Sequence, residues 1–234
     1  MESPPSPDAH EDVRVDLSPQ AGRGRSPLHL HSAKTETELA ATLTATRAEQ
    51  TEEDQPMARV PLIQEQDHPE LAEVMAKYSA GRRGRLINIY RMLLNSPALA
   101  ESWFNHSNAV RWKTELDGRL REIVIIRMGH LARSAYVLRQ HVPALALADG
   151  LTLEECDALA DWRPSRFFDA RERAVLAYTD TMTREIVVPD AVFAEVKRHF
   201  NDRQIVELTV LIGTYNMNAR VLQALELDLE SPAS

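Results

Sequence analysis

From Ala58 to about residue 225 the apolar side chains recur at every third or fourth position, and this helical period restricts the chain to a helical fold. The spacing predicts helices over 69–80 (PELAEVMAKYSA), 86–94 (LINIYRMLL), 97–112 (PALAESWFNHSNAVRW) and 118–132 (GRLREIVIIRMGHLA), then over 135–149, 152–161, 168–185, 190–200 and 202–225. Several starts carry their own punctuation. Pro97 behind Ser96 reads as a first-turn proline after an N-cap. Thr152 with Glu155 forms a capping box, and Asp169 with Glu172 and Pro189-Asp190 mark two more starts. No alternating strand pattern stands out. Residues 123–126 (IVII) are β-branched but sit inside a longer helical pattern, and their continuous apolarity predicts a helix buried on most sides. The expected class is all-α.

Composition divides the chain. Residues 1–57 hold no Phe, Trp or Tyr, six of the thirteen prolines, and eleven acidic against five basic residues, so they supply −6 of the net charge of −8. So few large apolar side chains cannot offset an ordering cost of about 1–2 kcal/mol per residue, so this acidic, Pro-rich tail is expected to be disordered. Within it, 35–50 is helix-compatible and Gly22-Arg23-Gly24-Arg25 is too short a basic run to indicate a partner. Residues 58–230 form the expected domain, and 231–234 a short C-terminal tail.

The same inventory excludes whole classes of function. The single cysteine, Cys156, allows no intramolecular disulfide, no Cys-based zinc ribbon and no CxxC redox pair within one chain. The acidic balance argues against nucleic acid, and no window approaches a membrane span. The first residues lack a secretory signal, and a cytoplasmic soluble protein is expected.

The chemistry-bearing stretch is 118–150. Glu122 opens one of the most hydrophobic helices, flanked by Arg121 and Arg127. A carboxylate there either pairs with a cation or has a raised pKa, both suited to proton transfer; alternatively it lies on an exposed stripe as an ion pair with Arg119 or Arg121. In the next helix Ser134, Val137, Leu138 and His141 follow the i, i+3, i+4, i+7 rule and share a face. His141 in apolar surroundings is a neutral base near pH 7, or a core histidine bonded to a carbonyl freed by the kink expected at Pro143. Ser134 is either a site hydroxyl or the N-cap of its helix. Tyr136 is a packed aromatic or a donor into a cavity, and His130, eight residues after Glu122, lies near the same face. A metal site from His130, His141 and Glu122 lacks any compact ligand pair, so no metal is expected.

The spacing of Glu122, Ser134, Val137 and His141 resembles the E-x11-C-x2-C-x3-H signature of the carboxymuconolactone decarboxylase and alkylhydroperoxidase D-like superfamily. INIYRMLLNSPALAESW, RLREIVIIRMGHLARSAYVLRQHVPALALADGLTLEE, ERAVLAYTDTMTRE and YNMNARVLQALELDLE resemble its successive helices, so the likeness covers roughly 58–230. It implies an alkylhydroperoxidase D-like helical domain in which Glu122 and His141 form a proton relay at a small pocket. Ser134 and Val137 stand where peroxidatic members carry cysteines, and neither can form a sulfenic acid, so thiol peroxidase activity is not expected. The resemblance then points to a cofactor-independent enzyme of the decarboxylase type, acting on a small carboxylated lactone or similarly activated acid. His141 would be the general acid/base and Glu122 its orienting or relaying partner. Ser134, Tyr136 and His130 would donate to substrate oxygens, and Arg127 would clamp a carboxylate or neutralise Glu122. It also implies a homo-oligomer, a trimer or hexamer. The competing reading is a non-catalytic scaffold or small-molecule binder of the same family.

Overall fold

The computed structural model describes residues 58–82 and 84–230; the expected tails at 1–57 and 231–234 lie outside the described residues. Among the described residues there is no strand. The helices are α1 (Ala72–Ala80), α2 (Asn88–Leu93), α3 (Pro97–Trp112), α4 (Gly118–Leu131), α5 (Ala135–His141), α6 (Leu153–Ala158), α7 (Ala170–Arg184), α8 (Asp190–Lys197) and α9 (Asp202–Ala224). The all-α class is the one expected. The edges of the expected segments relax into tighter turns: Pro69–Leu71 precedes α1 and Leu159–Asp161 follows α6, both as 3-10 helix.

Local chemistry sets the starts. Thr152 and Glu155 bond reciprocally at the head of α6, and Asp169 and Glu172 do the same for α7. Asn201 with Gln204 makes a third such box at α9. Ser96, by contrast, makes no side-chain cap bond, so α3 is started by Pro97, whose fixed φ suits the first turn.

The four residues Ile123, Val124, Ile125 and Ile126 show no exposed surface, which makes α4 the axis of the fold. It packs against α5, α7 and α9. Its two sides serve different clusters. Leu120, Val124, Ile125 and Met128 join the larger core with α1, α2, α3 and α9, while Ile123 and Ile126 pack with Cys156, Leu159, Trp162 and Leu176. Full burial of each such side chain is worth about 1.5–3 kcal/mol. A helix with apolar neighbours all round has no solvated stripe, so any charge on it must be matched inside.

The α4–α5 hairpin closes because Gly129 leaves room for its partner. A Cβ there would stand 2.8 Å from Leu138 Cδ2 and 3.3 Å from Val137 Cγ1. Past His141 the chain does not continue as α-helix. Val142–Ala146 forms a π-helical turn, in which Pro143 supplies no backbone donor. Gly150, at φ +86°, then reverses the chain ahead of α6.

Candidate active site

Asp117 caps α4 by accepting a hydrogen bond from Leu120 N at 2.8 Å, and this fixes the phase of the helix. Glu122 is thereby turned inward and is completely buried. It is not on an exposed stripe. Arg119, the candidate surface partner, instead ties α4 to the glutamates of two capping boxes, Glu155 at 2.6 Å and Glu172 at 2.7 Å. His141, the last residue of α5, places Nδ1 2.6 Å from Glu122 Oε2. Arg111 near the end of α3 reaches Glu122 Oε1 at 3.5 Å, and Arg121 Nε stands 3.8 Å from the same oxygen. From α9, Tyr215 brings its hydroxyl to 3.4 Å from His141 Nε2 and accepts from Arg111 Nη1 at 3.4 Å. The imidazole and phenol rings meet edge to face, 5.5 Å apart at 81°.

These contacts fix the protonation pattern. Burial alone would raise the Glu122 carboxyl, but His141 and the Arg111 and Arg121 cations outweigh it and hold Glu122 below the usual carboxylate value. Burial lowers the His141 pKa against the pull of Glu122, with Arg111 and Arg121 adding to the fall. Near neutral pH the pair is therefore a carboxylate and a neutral imidazole. An ionised carboxylate only accepts, so Nδ1 carries the hydrogen and Nε2 keeps its lone pair. Burial also raises the Tyr215 pKa, which leaves its hydroxyl a neutral donor towards Nε2.

Beside this pair lies a cavity of about 190 Å³, well above the ~10–15 Å³ that admits one water. His141, Tyr215, Arg111, Asn218 and the aromatic rings of Trp103 and Trp112 are among its walls. Arg82 and Arg111 line it and no aspartate or glutamate does. Val137, at the second signature position, lines it with an aliphatic surface.

Of the six candidate residues, Glu122 and His141 come together, and Tyr136 lines the same cavity. The Tyr136 hydroxyl is already engaged: it donates to Glu230 Oε1 at 2.6 Å and accepts from Ile89 N at 3.2 Å. The other three candidates point elsewhere. Ser134 is the N-cap of α5, buried, with its oxygen accepting from Val137 N. His130 is turned to the far side of α4, its Nε2 3.3 Å from Cys156 O. Arg127 neither clamps a ligand nor neutralises Glu122. It forks onto Asp180 at 2.5 and 2.9 Å and donates to Leu159 O and Ala160 O. Among the described residues no three His, Cys, Asp or Glu side chains converge as a metal site would require.

Sequence reasoning did not find Arg111, Tyr215 and Asn218. Tyr215 and Asn218, one turn apart, join Thr214 in interrupting the buried face of α9 formed by Leu208, Leu211, Ile212, Ala219 and Leu222. That interruption is the signal that would have pointed to them.

Residues 97–181 match the Carboxymuconolactone decarboxylase family. An uncharacterised protein of Escherichia coli K12, YnjA, is 29% identical over 118 residues, which is 50% of this chain and 64% of that relative, less than two thirds of its length. An AhpD-like protein of unknown function from Agrobacterium tumefaciens superposes with a TM-score of 0.56 at 26% identity, over 60% of this chain and 96% of the other. The alkylhydroperoxidase AhpD core of a peroxidase-related protein from Ralstonia eutropha JMP134 reaches a TM-score of 0.66 at 16% identity, over 76% and 94%, a likeness of fold alone. No helix of the described residues is long and apolar enough to cross a membrane.

Proposed function

We propose that the chain, whose residues 97–181 match the Carboxymuconolactone decarboxylase family, is a cofactor-independent proton-transfer enzyme of the decarboxylase type. Its substrate is a small carboxylated lactone or similarly activated acid. The observation that carries this reading is the buried Glu122–His141 hydrogen bond of 2.6 Å beside a cavity that His141 and Tyr215 both line. Glu122 orients the imidazole and stabilises the imidazolium when it forms. His141 moves the proton, and Tyr215 completes the relay on the cavity side.

In a decarboxylation the bond to the leaving carboxylate breaks and carbon dioxide departs. The electron pair enters the conjugated carbonyl, and the enolate carbon takes a proton from Nε2 of the imidazolium, which water replenishes between turnovers. In an isomerisation neutral Nε2 removes a proton from one carbon and returns it to another. The two differ in pH dependence. Decarboxylation needs protonated His141 and slows as pH rises through its pKa, which lies below the ordinary 6.5; isomerisation gains rate over the same interval.

Peroxide reduction by a thiol is not part of this function. Ser134 and Val137 supply no sulfur, and Cys156 is buried behind α4 with its thiol pushed up to about 11 by burial. Assembly into a trimer or hexamer belongs to the same proposal. Exposed Val206, Val210 and Met217 along one face of α9 support it, and light scattering of the purified protein tests it.

The test is a substrate screen of lactone acids on purified protein, comparing wild type with His141→Ala and Glu122→Gln. Loss of about 10²–10⁴-fold in turnover in both variants is expected. Turnover preserved within about twofold in both would remove the acid–base assignment.

A further inference from the structure

Two buried polar groups on the cavity wall lack the partners that burial normally demands. Arg111 has a side chain only 11% exposed, yet Nε has no hydrogen-bond partner among the described residues. Its other two contacts are long, at 3.4 and 3.5 Å. Of the arginines nearby, Arg82 donates to Gly81 O, Asn108 Oδ1 and Tyr90 OH; Arg121, whose Nε is likewise without a partner among the described residues, donates to Arg111 O and Asp149 and does not line the cavity. Asn218, 9% exposed and one helical turn beyond Tyr215, likewise has no partner for Oδ1 among the described residues. A guanidinium carries five donors in a planar fork suited to a carboxylate, while an amide oxygen accepts from O–H or N–H. No carboxylate side chain among the lining residues competes for the cation.

We infer that Arg111 and Asn218 form a two-point anchor for a small carboxylic acid that also carries a hydroxyl or N–H donor. The carboxylate takes the unpartnered Nε side of the Arg111 fork, and the donor group is received by Asn218 Oδ1. Trp103 and Trp112 add aromatic surface to the lining of the same cavity, which suits a planar, ring-sized body. The anchor deepens the proposed function, since it names what the substrate of the same cavity must display. It depends on the cavity as a ligand site and not on proton transfer.

Calorimetric titration of the full chain at pH 7 with benzoate, benzamide and the three monohydroxybenzoates tests it. Benzoate is expected to bind about tenfold or more tightly than benzamide, because a charge-assisted bond to arginine has no counterpart in the amide. One hydroxybenzoate isomer is expected to exceed benzoate. Arg111→Met should bring benzoate within about twofold of benzamide, and Arg111→Lys should restore part of the preference. Asn218→Leu should erase the gain from the hydroxyl and leave the carboxylate preference intact. Glu122→Gln separates the two proposals: it should stop turnover yet keep the preference for benzoate. Equal binding of benzoate and benzamide by wild type, or no binding of any probe as for a site that holds water only, overturns the anchor. So does a carboxylate preference that survives Arg111→Met.

Discussion

Helix α4 contributes to two buried polar pairs, and they are built in opposite ways. Towards its start, Glu122 meets His141 beside a cavity, with long contacts to Arg111 and Tyr215 around it and an unpartnered Nε on Arg111. Towards its end, Arg127 meets Asp180 in a sealed pocket. There the carboxylate also receives Trp162 Nε1 at 3.3 Å and Arg163 Nη1 at 3.0 Å, and the guanidinium satisfies two backbone carbonyls. Burial raises the Asp180 carboxyl, and the Arg127 fork more than reverses that, holding it below its usual value. Every strong donor at the second pair has an acceptor; at the first, capacity is left over. Burial of charge alone therefore does not identify a site. Incomplete satisfaction beside open volume does.

The contrast is broken most severely at the first pair. His141→Ala and Glu122→Gln are each expected to lower turnover by about 10²–10⁴-fold, with a smaller change in melting temperature than that of Arg127→Met. At the second pair the outcome inverts. Arg127→Met or Asp180→Asn leaves a buried charge or fork unmatched and should cost about 3–5 kcal/mol in urea unfolding, with kcat per folded molecule within about twofold of wild type. Replacing both partners together, Arg127→Met with Asp180→Leu, should recover most of that loss, as expected for a pair that only matches itself.

Acid should weaken both pairs. The folded pKa lies below the ordinary value for His141 (6.5), Glu122 (4.5) and Asp180 (3.8), so in each case the unfolded chain takes up protons first. Stability contributed by these groups is complete above about pH 6.5 and is lost stepwise as pH falls through each group's window. Urea midpoints measured from pH 8 to 4 check this direction; a midpoint that rises on acidification contradicts it. The smallest effect concerns Ser134. As an N-cap, its replacement by alanine should cost about 1 kcal/mol and leave turnover within about twofold, whereas a substrate-contacting hydroxyl would show in KM.

Helical periodicity made the fold readable because each helix buries one continuous face, and the capping pairs located α6 and α7 from two residues apiece. Glu122 and His141 each stayed open between two roles on their own, and only the resemblance of their spacing to a family signature joined them. Arg127 and His130 were misplaced by counting along a helix without turning it. At about 100° per residue, five positions rotate Arg127 roughly 140° away from Glu122, and eight positions leave His130 roughly 80° off. Both therefore face the cluster around Cys156 and Leu159 instead of the cavity. The meeting of Arg111 with Tyr215 was unreadable for a different reason. They meet across 104 residues of chain, from α3 and α9, and no local pattern in either helix specifies the other.

The most direct measurement is nitrogen-15 NMR of histidine-labelled protein, following the His141 ring from pH 8 to 4. A neutral ring at pH 7, hydrogen on Nδ1, lone pair on Nε2 and titration below 6.5 are expected from its bond to Glu122 and its burial. A ring protonated at pH 7, or one carrying its hydrogen on Nε2, would contradict the neutral imidazole that burial and the bond to Glu122 hold in place.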